Sequence, residues 1–262
     1  MLLIKDIIEF LEDKFPPSLA YDWDNVGLQI GDVNQEVRNI MVALDATTAV
    51  IDEAIANNVD FIITHHPFIF SGLKRIDFGL PIGKNIQKLV KNDIAIYSMH
   101  TNYDIAPSGM NDVLAEKIGL QNVQPFAMID DVHGLGRIGE LASEVGLIEF
   151  SDKIKHYYLQ EEVCEIKTVD CGSDVAIKKV AVIGGSGGKY IHEAKAVAAD
   201  VLVTGDVTYH TAIDAVAMGL HLIDIGHFAE VVIEEHVVGL LNCRFNHVAR
   251  IMKSSVGVNP IR

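Results

Sequence analysis

The chain has 262 residues, of which 49% are hydrophobic and 22% charged. That is an ordinary globular balance, with length for one large domain or two modest ones. The net charge of −15 argues against non-specific phosphate-backbone binding and against anionic membranes, so neither nucleic acid nor a membrane is expected as a partner.

The first segment, MLLIKDIIEFLEDKF, alternates charged and apolar residues at helical spacing and predicts an amphipathic helix rather than a signal peptide. No uncharged run reaches membrane-spanning length. Beyond SLAYDWDNVGLQIGD, a strand is expected over Asn39–Leu44, a helix over Thr48–Asn57, and a second strand in DFIITHH. A Gly- and Pro-containing stretch, Ser71–Gly83, precedes a helix over Lys84–Lys91 and the strand IAIYSMH, which ends at His100. Strand and helix alternate, the signature of an α/β fold with a largely parallel sheet.

The second half repeats the pattern. Asn39 aligns with Lys179, Glu53-Ala54 with Glu193-Ala194, Asp60 with Asp200 and Thr64 with Thr204, all at an offset of 140. The strand ending at His100 has its counterpart in LHLIDIGH, ending at His227, at an offset of 127. Any two βαβ units look broadly alike, but these shared positions favour a duplication and two pseudo-symmetric α/β domains. The glycines and short apolar runs after Phe126 suggest hairpin strands and a helix, so the domains are drawn as residues 1–126 and 127–262. The C-terminal CRFNHVARIMKSSVGVNPIR is read as a strand and coil that can return to the first domain. Cys164, Cys171 and Cys243 make an odd count without a C-x-x-C, which argues against a disulfide framework or thiolate metal site and for a reducing cytoplasm.

Four clusters fall at the carboxyl ends of expected strands, where open α/β sheets bind ligands. They are His65-His66, His100 with Asp104, Gly205-Asp206 with His210, and His227 with Glu230. Neighbouring strand residues point to opposite faces, so two adjacent histidines before Pro67 make poor packing and good ligands. Asp104 could instead cap a helix, and His227 could be a surface histidine beside a helix-terminal acid. Imidazole with carboxylate suits Zn, Fe, Mn, Co or Ni. The glycine run VIGGSGGKYIHEA fails the phosphate-loop pattern, because Ile183 and Tyr190 stand where Gly and Ser or Thr are required. The Gly184–Gly188 loop is left as either a substrate-positioning loop near Ser186 or a tight turn.

WDNVGLQIG (Trp23 to Gly31), THHPFIF (Thr64 to Phe70), HTNYD (His100 to Asp104) and GHFAE (Gly226 to Glu230) together resemble the GTP cyclohydrolase 1 type 2 homologues, also called NGG-one-interacting-factor-three-like proteins. The resemblance runs nearly end to end. It implies two α/β domains facing across a metal-binding cleft, two divalent metal ions, and a toroidal homohexamer arranged as a trimer of dimers. It also implies His65, His66, Asp104, His227 and Glu230 as ligands, with His100 close by; imidazole chemistry makes His100 the expected outer-sphere acid or base. In several members the last acid follows its histidine by four residues. Here Glu230 follows His227 by three, and Glu234 is the fallback. The function expected is a dinuclear metal-dependent hydrolase of unknown small-molecule substrate: a nucleotide, cyclic amide or phosphoester. The alternative is a metal-storage or scaffold protein without turnover.

Overall fold

The computed structural model describes residues 1–158, 165–172, 176–257 and 259–261. In chain order its first elements are α1 (Ile4–Lys14), β1 (Gly27–Ile30), β2 (Asn39–Ala43), α2 (Thr48–Ala56), β3 (Phe61–Thr64), α3 (Pro81–Lys91), β4 (Ala95–Ser98) and α4 (Thr101–Ile105). They continue with α5 (Met110–Lys117), β5 (Gln121–Met128), β6 (Gly134–Val145), α6 (Leu147–Lys153), β7 (Lys167–Val169) and β8 (Ile177–Val182). The last are α7 (Ile191–Ala196), β9 (Val201–Thr204), α8 (Tyr209–Met218), β10 (His221–Asp224), α9 (Val232–Phe245) and β11 (Arg250–Lys253). No helix among the described residues is long and apolar enough to cross a membrane. Cys171 and Cys243 form no disulfide, and Cys164 lies outside the described residues.

The chain divides into two compact units, Met1–Ala106 with Ile233–Val258, and Pro107–Val232 with Asn259–Arg262. The first division falls earlier than the expected boundary at Phe126. The reason is local: β5 pairs antiparallel with β6, placing Phe126 opposite Gly136 inside the second unit's sheet. The returning tail takes the form of β11, which pairs parallel with β2.

The first unit's sheet has the order β1-β4-β3-β2-β11. Strands β2, β3 and β4 run parallel, and β1 closes one edge antiparallel to β4. Both faces of β2 and β3 are buried, which is why their sequences read as unbroken apolar runs rather than alternating ones. Met41, Ala43 and Ile62 pack with Val50, Ile51 and Ala54 of α2 and Leu89 of α3. Thr47 caps α2 by accepting the Val50 N–H, and Pro81 opens α3, where a missing N–H is harmless.

The second unit's sheet has the order β5-β6-β8-β9-β10-β7. Its parallel core is β8-β9-β10, with β7 antiparallel on β10 as β1 is on β4. The two units also share a device at the start of their sheets. The Asp60 carboxylate accepts the Arg38 and Asn39 N–H groups, both at 2.8 Å. Asp200 accepts those of Lys178 and Lys179 at 2.9 and 2.7 Å. Those residues correspond at the same offset of 140.

Helix α9 carries Glu234 into the first unit's interior, where its carboxylate accepts the Leu44 N–H at 3.1 Å. Burial pushes this carboxyl from 4.5 up to about 7, against the Leu44 hydrogen bond, which favours the charged form. A raised acid stabilises the fold when protonated, so the contribution is complete below 4.5 and lost as pH rises through about 7. Glu234→Gln keeps an acceptor for Leu44 and removes the titration. In chelator-treated protein it should raise thermal stability at pH 8 by about 2–3 kcal/mol and change little at pH 4. Equal melting temperatures for variant and parent at pH 8 would refute this account of Glu234.

Candidate metal centre

In the first unit, β3 ends at Thr64. The Thr64 hydroxyl lies 2.8 Å from the Ser98 hydroxyl and donates to the His66 carbonyl at 2.9 Å. This ties the carboxyl ends of β3 and β4 together and brings His65, His66 and His100 to one place. One nitrogen from each ring lies within 4.8 Å of the others. His65 is fully buried, 3.6 Å from an Asp104 oxygen. Asp104 lies inside the short helix α4 and does not cap a following one.

Each ring is held by its Nδ1. His65 Nδ1 donates to the Met99 carbonyl at 2.9 Å. His66 Nδ1 meets Asp45 at 2.8 Å, and His100 Nδ1 meets Asp24 at 2.9 Å. A carbonyl or ionised carboxylate only accepts, so each Nδ1 carries a proton, and Nε2 is the atom that a neutral ring offers to an ion. That is the ligating form of histidine, with its outer partner already in place. Burial acts to raise the Asp24 carboxyl, but hydrogen bonds from His100 and Thr101 overcome it and hold the group at about 2. Asp24 is therefore ionised throughout the neutral range.

The second unit carries a smaller version. The turn His227–Val231 is a 3-10 helix, entered through Gly226 at φ 75°. Three residues make one turn of such a helix, so a histidine and an acid three apart lie on the same side. His227 Nε2 stands 3.2 Å from a Glu230 oxygen, and Glu230 is only 3% exposed. Two donors about 2.1 Å from one ion lie about 3.0–3.4 Å apart, so this pair has ligand spacing. His227 Nδ1 meets Asp206 at 2.7 Å, the same outer arrangement as in the first unit. Asp206 thus serves His227, while His210 is exposed on α8 beside Tyr209. Glu234, the fallback acid, is engaged with Leu44 instead.

The glycine loop supports this pair. A Cβ on Gly185 would come within 2.7 Å of Glu230 Oε1, and one on Gly184 within 3.2 Å. Thr204 fixes the loop, accepting the Gly187 N–H at 2.8 Å and donating to the Gly185 carbonyl at 3.2 Å. Glycine is required because the backbone presses against the buried carboxylate. Ser186, at the tip, is exposed.

Imidazole nitrogens and carboxylate oxygens without thiolate fit a borderline or hard divalent ion such as Zn, Fe, Mn, Co or Ni. Sequence reasoning singled out these histidines and both acids as candidates but did not name Asp24, Asp45 and Asp206 as hydrogen-bond partners of the rings.

The family described as Duf34/NIF3 (NGG1p interacting factor 3) matches residues 2–260. A GTP cyclohydrolase 1 type 2 homolog of Clostridium perfringens (strain 13 / Type A) is 38% identical over 229 residues, covering 86% of this chain and 85% of the relative. One from Bacillus subtilis (strain 168) is 32% identical, covering 98% of this chain and 97% of the relative. Among solved structures, a Bacillus cereus protein related to NIF3 has a TM-score of 0.90 at 31% identity, covering 100% of this chain and 99% of that one. Reduced HcgD from Methanocaldococcus jannaschii has a TM-score of 0.82 at 33% identity, covering 97% and 98%.

Proposed function

This chain belongs to the Duf34/NIF3 family, and on that premise we propose that it is a dinuclear metal-dependent hydrolase. The observation that carries the reading is the set of histidines held at Nδ1 by a carbonyl or by Asp24, Asp45 and Asp206, each presenting Nε2. We assign His65, His66 and Asp104 of the first unit and His227 and Glu230 of the second as ligands of two divalent ions. Such ions, when bound, supply a hydroxide at neutral pH and polarise the bond to be cleaved.

The chain's own residues do the rest. Asp45 and Asp206 fix the orientation of the His66 and His227 rings. His100 is assigned as the proton carrier: Asp24 holds its Nδ1–H, so the proton moves at Nε2. His100 also stands close enough to His65 and His66 to ligate. Metal analysis of His100→Ala separates the roles. Full metal with no turnover marks a proton carrier, and lost metal marks a ligand.

The substrate is a small molecule carrying a hydrolysable bond, with nucleotides, cyclic amides and phosphoesters as the classes to screen. The purified chain loaded with Mn, Zn or Fe should turn over at least one member of a broad hydrolase panel. Tightly held metal with no turnover across that panel would overturn the enzyme reading and leave a metal-binding protein. We also propose a homohexamer built as a trimer of dimers, which sedimentation would test directly.

A further inference from the structure

Two large aromatic rings stand open beside the histidine cluster. Trp23 and Phe70 are each 56% exposed. Their centroids are 6.0 Å apart, and each lies 6.0 to 6.2 Å from the His100 ring. Leaving such rings open forgoes burial that ordinary packing would recover.

These rings are fixed in the open position. Tyr21 stacks behind Trp23 at 5.8 Å with an interplanar angle of 17°. The next residue, Asp24, is locked to His100 and Thr101. On the Phe70 side, Asn25 donates to the Ile69 carbonyl at 2.5 Å and Gln29 accepts the Ile69 N–H at 3.3 Å. Asn25 and Gln29 also bond each other. The polar residues of WDNVGLQIG therefore clamp the backbone that presents both rings.

From this arrangement we propose that Trp23 and Phe70 form a stacking surface for a planar aromatic or heteroaromatic ring of the substrate, next to His100. The proposal rests on the hydrolase reading only in taking that ring as part of a substrate. The surface is one-sided. A slot that sandwiches a ring needs about 7 Å, twice the roughly 3.5 Å contact distance. The Trp23–Phe70 centroids are closer than that, at 6.0 Å, and the rings are tilted by 45°. The ring lies on the open face of the pair, and the bond to be cleaved extends toward His65, His66 and His100.

Trp23 is the single tryptophan of the chain, so its emission reports this surface alone. The test titrates the full, chelator-treated chain with guanosine, thymidine and nicotinamide as planar probes, and with ribose as the ringless control. At least one planar probe should quench Trp23 saturably, and ribose should not. Phe70→Leu keeps apolar bulk but removes the π face, and should weaken the planar probe about five-fold or more. Phe70→Tyr should bind as the parent does.

Unchanged emission with every planar probe overturns the proposal, as does a Phe70→Leu variant that binds like the parent. Emission that shifts with protein concentration and ignores the probes identifies a subunit contact, which also overturns it. Turnover without ring binding sinks only the stacking surface. Ring binding without turnover under any metal sinks only the hydrolase.

Discussion

Alanine in place of His66 should strip metal from a protein that stays folded, and alanine in place of His65 should remove metal and weaken the fold together. The difference lies in burial. His65 is fully enclosed, and its Nδ1–H satisfies the Met99 carbonyl. Removing the ring opens a cavity and leaves that carbonyl without its donor, at about 2–4 kcal/mol. His66 is partly exposed and bonded to an exposed Asp45, so its removal should cost under about 1 kcal/mol. For metal the two should be alike. Losing an outer hydrogen-bond partner lowers metal affinity roughly 10- to 100-fold, and losing a ligand should exceed that. Asp24→Asn supplies the comparison, because it removes no candidate ligand and disturbs only outer hydrogen bonds, those from His100 and Thr101. Elemental analysis after equilibration with limiting Zn or Mn reads the order directly, with thermal melting in chelator as the fold control. A His66→Ala protein that retains parental metal would remove His66 from the ligand set.

The candidate ligands stand out in the sequence because of their local spacing. Two adjacent histidines contradict strand alternation, and an acid three or four residues past a histidine shares its side of a helix. The structure adds why the spacings differ. Asp104 follows His100 by four within the α-helical turn Thr101–Ile105, while Glu230 follows His227 by three within a 3-10 turn. Outer partners obey no such local rule. Asp24 and His100 are 76 positions apart, and nothing in either neighbourhood names the other. The edge strand β1 escaped for a related reason: GLQI is half-exposed throughout and carries no apolar period. The division at Ala106 was hidden because the stretch between α4 and α5, Ala106-Pro107-Ser108-Gly109, is too short to stand out as a linker.

The correspondence between the two halves accounts for the glycine loop better than any phosphate pattern. At an offset of 140, Asp45 corresponds to Gly185 and His66 to Asp206. In the first unit that turn supplies a carboxylate to a histidine just past the end of the next strand. In the second, the carboxylate comes from Asp206, just past the end of the next strand, for His227. The turn at Gly185 is then released from that duty and serves as a floor under Glu230.

Gly185→Ala should accordingly damage metal binding far more than it damages the fold. The residue sits at φ +57°, where an added Cβ costs about 1–2 kcal/mol. Gly219 has a similar φ of +67° at the end of α8, and a Cβ there meets only the flexible end of Lys195 at 3.7 Å. Gly219→Ala therefore has the same backbone penalty without touching the site. At Gly185 the new methyl would stand 2.7 Å from Glu230 Oε1 and 3.4 Å from His227 Nε2. Glu230 is buried and cannot swing into solvent, so it must leave its position beside His227. Metal affinity should fall about 10- to 100-fold in Gly185→Ala and stay near the parental value in Gly219→Ala. The two variants should melt within about 1 kcal/mol of each other. If both lose metal equally, backbone strain rather than the press on Glu230 governs the loop, and Glu230 loses its claim to be the second unit's ligand.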